Sequence, residues 1–94
     1  MDANISDVID IFTETTDRRE MTKLFEEFFS DSEIADVSKR WYIFKELYQG
    51  TSQRKIANEM GVSLCKITRG SKILKQDSSI VREILHERYG EDHI

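Results

Sequence analysis

The residues of this chain best suited to chemistry are the cations of Ser52–Lys75, SQRKIANEMGVSLCKITRGSKILK, and their chemistry is the recognition of a polyanion. Arg54, Lys55, Lys66, Arg69, Lys72 and Lys75 stand there against one acid, Glu59. The stretch carries net +5 in a chain of net −4, which leaves −9 for everything else. An acidic chain that gathers its cations on one compact unit presents that unit to a polyanion.

The elements that must carry these cations are two short helices and a tight turn. Ser52 is a good N-cap, because its hydroxyl can accept from a free first-turn amide. Ile56, Ala57 and Met60 share one face of the first helix. Gly61 ends it, since entering the left-handed region costs least at glycine. Ser63 can cap the second helix, whose apolar positions are Leu64, Ile67, Ile73 and Leu74. Ile56, Met60, Val62 and Ile67 fill the space between the two, and small Ala57 lets them approach. This layout matches a DNA-binding helix-turn-helix, whose second helix enters the major groove. The competing reading is a solvated helical hairpin whose basic face pairs with acids elsewhere; the concentration of charge argues against it. Gly70 falls inside the second helix, where glycine costs about 0.5–1 kcal/mol relative to alanine. Either a ligand lies against the backbone there or another helix packs closely on it.

Ninety-four residues set the expectation of one domain over 1–94. There is no proline, and three of the four glycines (Gly50, Gly61 and Gly90) fall where helices should end, so the fold class expected is all-α. The acidic start MDANISDVIDIF does not read as a signal peptide. No apolar run approaches the about 18 residues of a membrane span. A single cysteine, Cys65, cannot form an internal disulfide, and a cytoplasmic location is expected.

Hydrophobic periodicity predicts four further helices. The first covers Asp2–Thr15, with Ile5, Val8, Ile9 and Phe12 on one face. The second covers Asp17–Phe29, with Met21, Leu24, Phe25, Phe28 and Phe29. The third covers Asp31–Gln49, opens with a Ser30-x-x-Glu33 capping box, and carries Ile34, Val37, Trp41, Phe44, Leu47 and Tyr48, widened by Tyr42 and Ile43. The last covers Asp77–Tyr89, with Ile80, Val81, Ile84, Leu85 and Tyr89. These stripes are wide for a small chain and imply a core shared between two copies, which also suits the reading of two DNA half-sites. Two histidines and one cysteine, widely spaced, give no metal-site spacing and no nucleophile with a positioned base, so no metal, no cofactor and no enzymatic activity are expected. His86 reads as a helix-surface residue.

Ser52–Arg54 (SQR), Asn58–Glu59, Gly61, Ile67–Ser71 (ITRGS) and Leu74–Lys75 resemble the bacterial trp repressor family, and the resemblance continues more weakly upstream through FSDSEIADVSKRWYIFKELYQG. It covers about two-thirds of the chain. It implies a six-helix, intertwined homodimer that uses L-tryptophan as co-repressor and binds double-stranded operator DNA of tryptophan-metabolism genes. By this resemblance Arg40 and Arg69 would sandwich the indole, Arg69 would also hold the carboxylate, and Gly70 would let the ring lie against the helix. A guanidinium suits both tasks, because it stacks on an aromatic face and grips a carboxylate with a planar fork. Ser30 matches a threonine beside the ligand. Main-chain carbonyls near Glu27 and Phe29 of the second copy would receive the ammonium group.

The chain departs from the family pattern at several of these positions. Ile73 stands where the family has a serine near the ammonium, and Glu27 replaces an apolar residue there. Lys66 replaces a threonine, Lys72 an asparagine and Ala57 a lysine, while Leu64 and Cys65 differ modestly. Lys66, Thr68 and Lys72 are expected at base edges, Arg54 and Lys75 at phosphates, with Leu64, Cys65 and Ala57 completing the DNA-facing set. Two other readings stay open: a regulator of the same fold that binds DNA without tryptophan, and a dimeric helical module that binds a protein through its basic face.

Overall fold

The computed structural model of the protein describes residues 2–94. Six helices follow one another: α1 (Ile5–Glu14), α2 (Arg18–Phe28), α3 (Asp31–Tyr48), α4 (Gln53–Met60), α5 (Leu64–Leu74) and α6 (Ile80–Tyr89). No strand occurs among the described residues.

Local capping sets the boundaries. The Asn4 side chain accepts from the Ser6 amide at 2.9 Å, so α1 starts at Ile5 and not at the expected Asp2. Asp17, expected inside the second helix, is its N-cap and accepts from the Glu20 amide at 3.0 Å. The expected capping box forms: Glu33 Oε1 accepts from the Ser30 amide at 2.9 Å and Ser30 Oγ from the Glu33 amide at 3.2 Å. The Ser30 amide, and after it the Ser30 hydroxyl, hold the Glu33 carboxyl below its ordinary value of 4.5. Ser52 caps α4 through the Lys55 amide. Ser79 caps α6 through the Arg82 amide, which delays that helix from the expected Asp77 to Ile80. Ser63 has the extended backbone of a cap, yet its hydroxyl makes no cap hydrogen bond, contrary to expectation; the turn into α5 rests on the left-handed Gly61 (φ 63°) and on its amide bond to the Ala57 carbonyl.

The described chain divides into two compact units, one through Ala35 and one from Asp36 to Ile94. In the first, Phe12 meets Phe25, Phe28 and Phe29 with ring centroids 5.3, 5.6 and 6.1 Å away. Phe29 also meets Phe25 and Phe28. Neither α1 nor α2 has a fully buried residue, and Ile5, Ile9, Ile11 and Phe28 are exposed.

The second unit holds the buried core: Ile43, Phe44, Leu47 and Tyr48 of α3, Ile56 of α4, Ile67 and Leu74 of α5, and Leu85 of α6. Trp41, Ala57, Met60, Val62, Ile73 and Val81 pack against it, half-buried. Ile80, Ile84 and Tyr89, expected on the inner side of the last helix, are exposed, as are Val37 and Tyr42 of α3. Residues 90–94 fold back on Tyr48. Its hydroxyl donates to the Gly90 carbonyl and lies 3.4 Å from His86 Nδ1, and its own carbonyl accepts from the His93 amide at 3.0 Å. Gly50 (φ 90°) sits under this tail, where a Cβ would lie 2.9 Å from the His93 carbonyl oxygen. Arg82 ties the tail to α5, pairing with Asp92 and donating to the Leu74 carbonyl at 3.1 Å.

Candidate functional site

Residues one helical turn apart share a face, and two such rows build a cleft inside the second unit. From α3 come Asp36, Lys39, Arg40 and Ile43, with Phe44 beside them; from α5 come Lys66, Arg69 and Gly70; Val62 of the connecting turn completes it. Its volume is about 140 Å³, close to the about 150 Å³ that accepts one benzene ring in an engineered protein cavity. Ile43, Phe44 and Gly70 form a buried floor, while Arg40, Lys66 and Arg69 stand at the exposed rim. Gly70 is what allows α5 to lie this close to α3: a Cβ there would come 3.3 Å from Leu47 Cδ1, 3.5 Å from Ile43 Cγ2 and 3.6 Å from Phe44 Cε1. Close helix packing therefore accounts for the mid-helix glycine, and the same bare backbone faces the cleft.

The cleft is cationic. Lys39, Arg40, Lys66 and Arg69 surround it with a single carboxylate, Asp36. Among the described residues the ion pairs are Lys55–Glu59 and Arg82–Asp92, so no partner neutralises any of these five charges. An apolar floor beneath unpaired guanidinium groups is an arrangement for a flat apolar ring bearing an anionic group.

The outer side of α5 forms a second, shallow groove lined by Leu64, Cys65, Thr68, Arg69, Lys72 and Ile73. Arg69 thus borders both the cleft and the outer groove. Leu64, Cys65, Lys66, Thr68, Lys72 and Lys75 are exposed on or beside α5, and Arg54 is exposed on α4. The Thr68 hydroxyl bonds to the Gln53 side-chain oxygen at 3.2 Å, joining the two helices at their surface. Ala57 is half-buried and packed against the core, which fits its expected part in the close approach of the helices better than free surface contact. Ile73 lies on the outer groove and against the core, and is not among the residues lining the cleft.

The remaining residues expected at the ligand belong to the first unit. Glu27 is exposed on α2, Phe29 lies within the phenylalanine cluster, and Ser30 uses its hydroxyl in the capping box. Three participants escaped the sequence reading. Asp36 and Lys39 fall one turn before, and directly before, Arg40 on α3, a spacing that was available as a signal. Gln53 is visible as part of SQR, but its contact with Thr68 spans 15 positions and has no local signature.

Comparison with known proteins matches residues 3–89 to the family described as Trp repressor protein. A Trp operon repressor homolog of Chlamydia trachomatis serovar L2 is 42% identical over 65 residues, spanning 68% of this chain and 69% of that protein. A Trp operon repressor homolog of Xylella fastidiosa (strain M23) is 38% identical over 74 residues, spanning 78% of this chain and 79% of that protein. No solved structure matches the chain.

Proposed function

The chain belongs to the Trp repressor protein family, and from that premise we propose that it is a transcriptional repressor which binds operator DNA as a homodimer, with L-tryptophan as co-repressor. The observation that carries this reading is the position of Arg69, shared by the cationic cleft and the outer groove of α5. A ligand that fixes this guanidinium from the cleft side changes what α5 offers on its outer side. In the proposed mechanism the indole rests on the apolar floor between Arg40 and Arg69, beside Gly70, and Arg69 takes the carboxylate. Ser30, and main-chain carbonyls near Glu27 and Phe29 of a second copy, complete the ligand's surroundings.

α4, the Gly61–Ser63 turn and α5 act as the helix-turn-helix. Lys66, Thr68 and Lys72 reach base edges, with Leu64 and Cys65 beside them, while Arg54 and Lys75 hold phosphates. The ligand favours the DNA-competent arrangement, so operator tightens tryptophan by the same factor that tryptophan tightens operator. The dimer is supported by the lack of any fully buried residue in α1 and α2, whose apolar faces are left for a second chain to cover.

Ile73 favours a second reading, DNA binding without tryptophan, because an apolar residue replaces a polar one where the resemblance calls for contact with the ammonium group. A gel shift on the DNA upstream of the protein's own gene separates the two. A shift that requires L-tryptophan supports the co-repressor reading. A shift equally strong without it supports the second, and no shift on this or any tryptophan-metabolism promoter refutes both.

A further inference from the structure

Asp36 is the one carboxylate in a cleft bordered by Lys39, Arg40, Lys66 and Arg69. A net charge of +3 in so small a space draws in a carboxylate and repels an ammonium group. These charged side chains are exposed at the rim, so added salt weakens this preference. An α-amino acid carries both charges, and its ammonium group has a single favourable side-chain neighbour in this cleft. Asp36 also stands four residues before Arg40, the usual spacing for a helix-surface ion pair, yet no such pair forms in the structure. Its carboxylate is exposed and unengaged at the rim.

We infer that Asp36 is the specificity residue of the cleft: it receives the ligand's ammonium group and so selects an amino acid over the corresponding des-amino acid. The inference rests on the ligand reading proposed above and adds to it a residue of the same chain that discriminates ligand class. Without Asp36 the cleft is a general binder of aromatic carboxylates. With it, a carboxylate lacking the ammonium group meets an uncompensated negative charge.

The test is calorimetric titration of the full-length protein and of Asp36→Asn with two ligands, L-tryptophan and indole-3-propionate, which lacks only the amino group. Asn keeps the shape and removes the charge, and the site is exposed, so folding is preserved. The expected result is movement in opposite directions: the variant binds L-tryptophan about fivefold more weakly, because a charge-assisted contact at an exposed site is lost. It binds indole-3-propionate about two- to threefold more tightly, because a like-charge repulsion is removed. If Asp36 serves only to orient Arg40, both ligands weaken together, which overturns the inference while leaving the cleft reading intact. No change for either ligand overturns it in the same way. A wild-type protein that binds neither ligand overturns the cleft reading as well.

Discussion

The Thr68 hydroxyl and the Gln53 side-chain oxygen lie 3.2 Å apart, and this bond joins the first residue of α4 to the middle of α5. It fixes the rotamer of an exposed threonine on the proposed DNA-facing surface and braces the two helices there. Gln53→Ala should lower stability by no more than about 1 kcal/mol, since the bond competes with water. Operator affinity should fall a few-fold at saturating tryptophan, with tryptophan affinity unchanged. Urea denaturation and a gel shift check the two halves. An unchanged operator affinity would mean that Thr68 is oriented by other contacts.

Arg69→Ala should abolish tryptophan-dependent DNA binding while the protein stays folded, because the side chain is exposed and outside the core. Loss of a charge-assisted pair and a stacking contact together should cost about 2–4 kcal/mol, about 30–1000-fold in ligand affinity. Calorimetry showing wild-type tryptophan binding would move the ligand out of the cleft.

The apolar residues exposed on α1 and α2 lead to a mass prediction. Sedimentation at micromolar concentration should give about twice the chain mass of 11.1 kDa. A stable, well-folded monomer would remove the shared-core argument.

Ile73 is half-buried against the core, so Ile73→Ser should destabilise the protein by about 1–3 kcal/mol through lost packing. If the ammonium group lies near this position in the assembled protein, the variant should nonetheless bind tryptophan a few-fold to about tenfold more tightly. Paired titrations on folded samples measure this, and equal or weaker binding would show that the serine contact has no counterpart in this chain.

Two carboxylates give the acid limb of stability its direction. Arg82 holds Asp92 below its ordinary value of 3.8, and the Ser30 amide and hydroxyl hold Glu33 below 4.5. Both folded-state values are depressed, so each contribution is fully present above the ordinary value and is lost as pH falls through the depressed one. Tyr48 behaves oppositely. Burial, reinforced by Asp92, raises its hydroxyl above the ordinary 10.0, so its contribution is present below pH 10 and disappears as pH rises through the raised value. Thermal melts should therefore fall below about pH 4.5, with Asp92→Asn flattening that decline and lowering stability at neutral pH. An Asp92→Asn profile parallel to wild type would show that the pair contributes nothing in solution.

The sequence was most legible where structure is local. Ser52, Gly61 and the Ser30–Glu33 box act through neighbours within a few positions, and each was found where the pattern put it. The expected starts of α2 at Asp17 and of α6 at Asp77 fall one and three residues before the observed Arg18 and Ile80, because propensity alone does not decide which of several polar residues will cap. The stripes marked which residues are apolar but not which of them this chain buries by itself; Ile80 and Tyr89 are exposed despite their spacing. Arg82, Asp92 and Tyr48 come together only through the folding back of the tail, at separations no local signal encodes. In the cleft, Arg40, Arg69 and Gly70 were anticipated through resemblance. Asp36 was not, because an acid on a helix looks like any solvated acid until the row opposite it is known.

The buried core runs from Ile43 to Leu85, and no residue of α1 or α2 belongs to it. Protection against hydrogen exchange follows from this uneven distribution. Backbone amides in the second half of α3, in α5 and around Leu85 open only with global unfolding, whereas those of α1 and α2 are released by small local openings unless a second chain lies over them. The rate at which α1 and α2 take up deuterium is thus a gauge of how much of their apolar surface is covered. If a second copy covers α1 and α2, as proposed, that rate should fall with rising protein concentration, while the slow amides of the core should stay unchanged until the whole fold gives way.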